Sequence, residues 1–454
     1  MDILTKKKQI QSRILLRPVF VPPDLITEIL SLLSVKNIQR FRCVSKSWNT
    51  FISDSIFTKM HIKLSSQNPH FILSIPEYPL TCVVSVLVNQ LLESRSLTIA
   101  SETCLSPRWG IYEVVGSCNG LLCVIFNSIT NEKTKYKFCL WNPATRTISE
   151  KLGFFCDYEP SLGPFKFSFG CDYLTGTYKI VALHTQRNED GENHDDTWIS
   201  KVRVFNLGDN LWRDIQSFSS APLIWNKGVH LSGTINWLSI QGSYISLSDG
   251  ERFRALIPDV KQLVIVSLDL STETYRKFLL PQDFIEVPCL EPSLRVMMDC
   301  LCFSHDFNKI EFVIWQMKEF GDHQSWTQLF RIEYSNLQIN NPPIEVDFFY
   351  VDYMKCEIPL LPLYISKDGN TLILAHDEIY AVIIYNQLDN TVKRTRISNE
   401  VDWFTAVDYV ESLVSTDWKS GDGDRDEDDD EEDDEYEDEL TDIDIGFGGW
   451  TIKV

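Results

Sequence analysis

No run of about 18 apolar residues occurs in this 454-residue chain, so the sequence offers no helix of bilayer-spanning length. Its 12 cysteines include no C-x-x-C pair, and no N-x-[ST] acceptor is present. A disulfide framework, a paired-cysteine metal clip and a glycosylated surface therefore lack their signatures, and the cysteines are expected to pack inside a protein kept in a reducing compartment. The first 20 residues carry Lys6, Lys7, Lys8, Arg13 and Arg17, with apolar stretches too short for a secretory leader. The expected location is the cytoplasm or nucleus.

Complete catalytic signatures are missing as well. There is no H-E-x-x-H, no G-x-x-x-x-G-K-[ST], and no P-C-x-x-C to accompany the short match at His376-Asp377-Glu378. Cys300 and Cys302 share one face of a strand pattern among Met298, Leu301 and Phe303, which favours packing over metal binding. Gly446-x-Gly448-Gly449 lacks the strand and helix that make a phosphate cradle. Basic residues are interleaved with acids, leaving no stripe to follow nucleic acid. No catalytic residue, metal or cofactor is expected, and neither nucleic acid nor membrane is expected as a partner.

What is present is a globular composition, 44% hydrophobic and 23% charged, enough for a sizeable core. The net charge of −22 is concentrated: residues 421–445 hold 17 acids against one Arg, a net of −16, leaving −6 for the remainder. Residues 417–454 read as an acidic, disordered tail, because so charged a segment cannot bury enough apolar surface to offset the entropy of folding.

Between residues 21 and 62 apolar residues recur at helical spacing. Leu25, Ile26, Ile29, Leu30, Leu32 and Leu33 mark a first helix, Val35, Ile38 and Phe41 a second with Ser34 as N-cap, and Val44, Trp48, Phe51 and Ile52 a third that ends near Asp54. A unit of about 40 residues rarely buries enough surface to stand alone. From about residue 69 to 416 the period changes to two, with strands rich in Val, Ile, Phe, Tyr and Trp. Two patterns repeat along it. One is an apolar pair followed by Asn or Asp, at Trp141-Asn142, Phe205-Asn206, Leu268-Asp269 and Tyr385-Asn386. The other is a tight turn feeding a buried strand, at 116–124, 231–238, 299–304 and 368–375. Five modules result, near 116–150, 166–217, 229–281, 295–333 and 364–397, and the stretch Phe71 to Leu92 is available to complete a ring. Hairpins repeated radially build a β-propeller. The expected architecture is α+β and multidomain: a basic extension (1–20), a small three-helix unit (21–62), an all-β, propeller-like domain (66–416) and the tail (417–454).

The stretch Val21-Pro22-Pro23-Asp24-Leu25 with Glu28-Ile29-Leu30, then Val35-Lys36-Asn37-Ile38 and Arg40-Phe41-Arg42-Cys43-Val44-Ser45-Lys46-Ser47-Trp48, resembles the F-box motif. Val21 stands where that family usually has Leu, and Ser34 where it often has Pro; both changes are mild. The β region is similar to the F-box-associated, kelch-like domain of the large plant F-box families, the S-locus class among them. The resemblance rests on Ser117-Cys118-Asn119-Gly120-Leu121-Leu122, Trp141 to Arg146, Tyr178-Lys179-Ile180-Val181, Gly233 to Leu238, Trp315 to Lys318 and Tyr409-Val410-Glu411-Ser412-Leu413.

The resemblance implies a non-catalytic substrate receptor of an SCF-type ubiquitin ligase. Its head would bind a Skp-type adaptor, and through it cullin and RING protein, while the β domain recruits an unknown protein substrate. Pro22, Leu25, Ile26, Ile29, Leu30, Val44 and Trp48 are the expected adaptor face. Loops on a rigid scaffold usually carry specificity, so Arg187 to Ser200 with Trp198, and Phe320 to Trp326, are the expected target-binding loops. Three other readings stay open: a propeller enzyme with a metal or cofactor in its channel, a non-ligase interaction scaffold, and an acidic-tailed binder of basic proteins.

Overall fold

The computed structural model describes residues 23–417, apart from residues 67, 78–79, 99–112, 131–132, 151, 158–164, 188–197, 224–226, 243–258, 289, 340–359, 377–380 and 398–401. The expected extension and tail lie outside the described residues, as does Pro22.

The head holds four helices among the described residues, where the spacing predicts three: α1 (Pro23–Ser31), α2 (Val35–Arg42), α3 (Lys46–Ile52) and α4 (Ser55–Ser65). Asp54 ends the third pattern because it begins the next helix, its carboxylate accepting the Ile56 N–H at 2.7 Å. Ser45 caps α3 in the same way through the Trp48 N–H. Leu30, Val35, Ile38, Ile52 and Phe57 are buried together, with Phe41 stacked on Trp48 at 5.4 Å over them. His61, buried under this cluster, donates from Nε2 to the Leu33 carbonyl at 3.0 Å and accepts from Ser65 at Nδ1, tying α4 to the end of α1.

Among the described residues the remainder forms six sheets, antiparallel but for one added edge strand, arranged as the blades of a propeller. Five follow one another along the chain, with inner strands Glu113–Cys118, Lys166–Cys171, Val229–Leu231, Ser293–Met297 and Leu361–Ile365. The first blade is composite. His70–Glu77 pairs with Leu80–Leu87 on one side and with Asp402–Tyr409 on the other, so the last strand of the ring supplies the inner strand of the first blade. A second clasp closes the same seam: Ser96–Leu97 joins the outer edge of the last blade in parallel with Thr391–Ile397, and Thr395 donates to the Leu91 and Ser94 carbonyls.

Both sequence repeats have a physical basis in turns. Asn142, Asn206, Asp269 and Asn386 each end the third strand of a blade, and each side-chain oxygen accepts the N–H two residues on, at 2.8–3.1 Å. The residue four positions later (Arg146, Asn210, Glu273, Asn390) has φ between 54° and 58°, which returns the chain to the outer strand. The second repeat is a two-residue hairpin between inner and second strands. Asn119-Gly120, Ser232-Gly233 and Met298-Asp299 have both residues at positive φ, the twist that matches paired strands.

Candidate functional site

Strands alternate in direction within each blade, so the inner-to-second and third-to-outer turns all emerge at one end of the ring. The head sits at that end. Leu413, just past the closing strand, and Ala144, in a third-to-outer turn, join the head's own buried cluster. Asn142 fixes both: its Nδ2 donates to the Ser412 and Val414 carbonyls at 3.1 and 2.8 Å, while its Oδ1 holds the N–H groups of Ala144 and Thr145. The Ala144 N–H also meets the Tyr409 hydroxyl at 3.2 Å, and Asn119 donates to the Tyr178 hydroxyl. Gly120 is required where it stands, since a Cβ there would collide with Ser412 and with the Val410 carbonyl. The stretches Asn119-Gly120, Trp141 to Arg146, Tyr178 and Tyr409 to Leu413, far apart in sequence, thus meet at the joint between head and ring. Lys179, the neighbour of Tyr178, reaches instead to the fourth blade, where its ammonium pairs with Glu273 at 2.9 Å and meets the Leu270 carbonyl.

With the inner side of the head committed to that joint, its outer surface carries uncovered apolar residues. Leu25 and Ile29 on α1, and Leu32 in the turn just past its end, follow at successive four- and three-residue steps and are 49%, 57% and 71% exposed. Val44, in the turn between α2 and α3, and Ile56, at the start of α4, are exposed too. Of the expected adaptor face, Leu25, Ile29 and Val44 are therefore at the surface. Ile26 and Trp48 are half-buried against the head's core, and Leu30, 3% exposed, lies inside it. Leu32 and Ile56 were not among the expected residues. The seven-residue step from Leu25 is the signal that marks Leu32; nothing in the spacing marks Ile56.

The two expected target loops are not brought together. Trp198 opens a third strand at the end of the ring remote from the head, and the loop before it, 188–197, lies outside the described residues. Phe320 and Trp326 belong to a third-to-outer turn on the head's side. Trp326 is half-buried and donates from Nε1 to the Leu279 carbonyl at 3.0 Å, bridging two blades. Phe320 remains open, with its ring edge-on to Phe278. Turns on three blades of that same end also expose Tyr173, Leu174, Met298 and Leu388.

All six inner strands line a central channel cavity of about 210 Å³. Its charges are largely matched: Lys227 pairs with Glu113 at 2.5 Å, and Arg295 forks onto the Ala406 carbonyl from both terminal nitrogens at 3.2 Å. Asp408 shares the cavity; enclosure raises its carboxyl above the ordinary value and Arg295 opposes that. Among the described residues no group of three or more His, Cys, Asp or Glu could hold a metal ion, and no helix is long and apolar enough to cross a membrane.

Comparison with known families matches residues 21–60 to the F-box domain and residues 72–416 to the F-box associated beta propeller domain. The chain belongs to the F-box proteins with an associated β-propeller. Similar relatives in Arabidopsis thaliana include F-box/kelch-repeat protein At3g23880, 27% identical over 71% of this chain and 82% of the relative. F-box protein CPR1 is 24% identical over 78% of this chain and 79% of its own length. Among solved structures, a nidogen/laminin complex aligns with 76% of this chain and 99% of its own at 10% identity and a TM-score of 0.36, too low to bear on function.

Proposed function

We propose that this F-box protein is the substrate-recognition subunit of an SCF-type ubiquitin ligase. The observation that carries the reading is the two-sided head: one side locked to the propeller through Leu413, Ala144 and Asn142, the other presenting Leu25, Ile29 and Leu32. In this reading the stripe and Val44 seat a Skp-type adaptor, which connects the chain to cullin and RING protein. Burying each of these side chains contributes about 1–2 kcal/mol, so a few anchors supply much of a specific interface.

The propeller then holds a protein target at its exposed surfaces, among them the head-side turns bearing Phe320. The chain itself breaks and forms no bond. It works by raising the effective concentration of target lysines near a charged conjugating enzyme, for which a stiff connection between head and ring is an advantage. Its place of action is the cytoplasm or nucleus.

The test is affinity purification from plant cells with the proteasome blocked, comparing the full chain with a Leu25→Asp, Ile29→Asp variant. Adaptor and cullin should be lost from the variant while target proteins are retained. Equal recovery of cullin by both baits would contradict the assignment.

A further inference from the structure

Three blades meet at the head-side mouth of the channel through two cysteines and a histidine. Cys118 ends the inner strand of the second blade, Cys171 ends that of the third, and His230 lies on the inner strand of the fourth. The Cys118 Sγ is 3.7 Å from His230 Nδ1, and His230 Nε2 is 3.3 Å from both the backbone N and the carbonyl O of Cys171. The two inner strands run close together here: a Cβ built on Gly116, two residues before Cys118, would stand 3.5 Å from the Cβ of Phe169, two residues before Cys171. Gly170 makes room for this arrangement, because a Cβ at that position would run into the His230 ring.

We propose that Cys118 and Cys171 form a covalent modification site, converted by a hydroperoxide into a disulfide between the second and third blades. His230 lines the channel cavity, so the sulfurs lie one side chain from a space that a small oxidant can enter. Cys118 and Cys171 are buried but 5% and 3% exposed, whereas Cys123 and Cys139, neighbours on paired strands of a single blade, are 0% and 1% exposed and do not line the cavity.

The chemistry balances with the hydroperoxide as the two-electron oxidant. The Cys171 thiolate attacks the terminal peroxide oxygen; the O–O bond breaks, water or an alcohol leaves, and Cys171 becomes a sulfenic acid. Cys118 then attacks that sulfur; the S–S bond forms, the S–O bond breaks, and the departing hydroxide takes the Cys118 proton and leaves as water. The local electrostatics suit this order. The interaction with Cys118 holds the Cys171 thiol below its ordinary value against the opposing effects of burial and the Asp172 carboxylate, and Lys59 of α4 lowers it a little further. Burial pushes His230 down to about 4, so the ring stays neutral at physiological pH, while the interaction with Cys171 and burial hold the Cys118 thiol well above its ordinary value, so Cys118 enters as the protonated, resolving partner.

The test is peroxide treatment of the full chain followed by digestion and mass spectrometry. The expected product is a cross-linked peptide pair joining Cys118 to Cys171, about 2 Da lighter than the two thiols and reversed by dithiothreitol. It should form at least about 10-fold faster than any modification of Cys123 or Cys139. In Cys118→Ser the reaction should stop at a sulfenic acid on Cys171, trapped by dimedone. The measurement on the unsubstituted chain decides the matter even if that variant does not fold. A Cys171 that stays reduced there, or that reaches sulfinic acid with no cross-linked peptide, would overturn the proposal.

Discussion

Replacing Asn142 by Ala removes the post on which the joint between head and ring turns. Asn142 is fully buried and makes four hydrogen bonds: two from Nδ2 to the Ser412 and Val414 carbonyls, and two at Oδ1 from the Ala144 and Thr145 N–H groups. Ala144 keeps a second partner in the Tyr409 hydroxyl, so three groups lose the partner Asn142 provides. At about 1 kcal/mol for each group that water can reach, and more where it cannot, the local loss is about 3 kcal/mol. That is roughly a 100-fold increase in the open population of the segment. Hydrogen exchange should read it in residues 409–416 and in α1–α4, with the central strands of the third to fifth blades little changed. Asn142→Asp separates the two halves of the interaction: it keeps the oxygen that holds the turn but turns a carboxylate toward two carbonyls. It should therefore exchange as fast as Asn142→Ala or faster. If both variants exchanged within about threefold of the parent over 409–416, the joint would not depend on this residue and the reasoning would be wrong.

Other consequences follow from single groups. His305 donates from Nδ1 to the Asp306 carbonyl and accepts the Trp315 indole N–H at Nε2, so a second proton has no room, and burial pushes it from 6.5 down to about 4. Because the unfolded chain binds that proton more readily, stability is intact above about pH 6.5 and should fall by about 3 kcal/mol on the way to pH 4. His305→Gln should flatten the denaturant midpoint over that window relative to the parent; an unchanged slope would count against it. Lys179→Met keeps the aliphatic stem but leaves Glu273 without its ammonium, and should lower the unfolding midpoint by the equivalent of about 2 kcal/mol. Trp326→Phe should cost about 1 kcal/mol through the lost bond to Leu279, whereas Phe320→Ala should leave the midpoint unchanged and reduce recovery of protein targets.

Much of the ring was legible because its turns are chemical. An Asn or Asp at a strand end, with its side chain folded back onto the next N–H groups, leaves the same mark at 142, 206, 269 and 386, and the five modules read from those marks together with the tight-turn repeat fall on five of the six blades. The first blade carries no such mark, because its strands come from both ends of the ring and pair across more than 300 residues of intervening sequence. The fourth helix was hidden for a different reason. Asp54 serves as a stop and a start at once, and residue type alone does not distinguish the two.

The site was legible in kind more than in detail. Leu25, Ile29 and Leu30 belong to one apolar run, and which of them points outward depends on where α2, α4 and Leu413 come to rest. Phe320 and Trp198 look alike as exposed aromatics near loops, yet the strand count between them places one at each end of the ring. The meeting of Cys118, Cys171 and His230 has no local signature at all, since each residue comes from a different blade.

The most direct measurement is the affinity of the purified full chain for a Skp-type adaptor, taken for the parent, for Leu25→Asp with Ile29→Asp, and for Leu30→Val as a core control. The account predicts that the surface pair weakens binding by at least about 100-fold without moving the unfolding midpoint, while Leu30→Val lowers the midpoint and leaves the affinity of the folded protein in place. Undiminished binding by the Leu25→Asp, Ile29→Asp protein would contradict it.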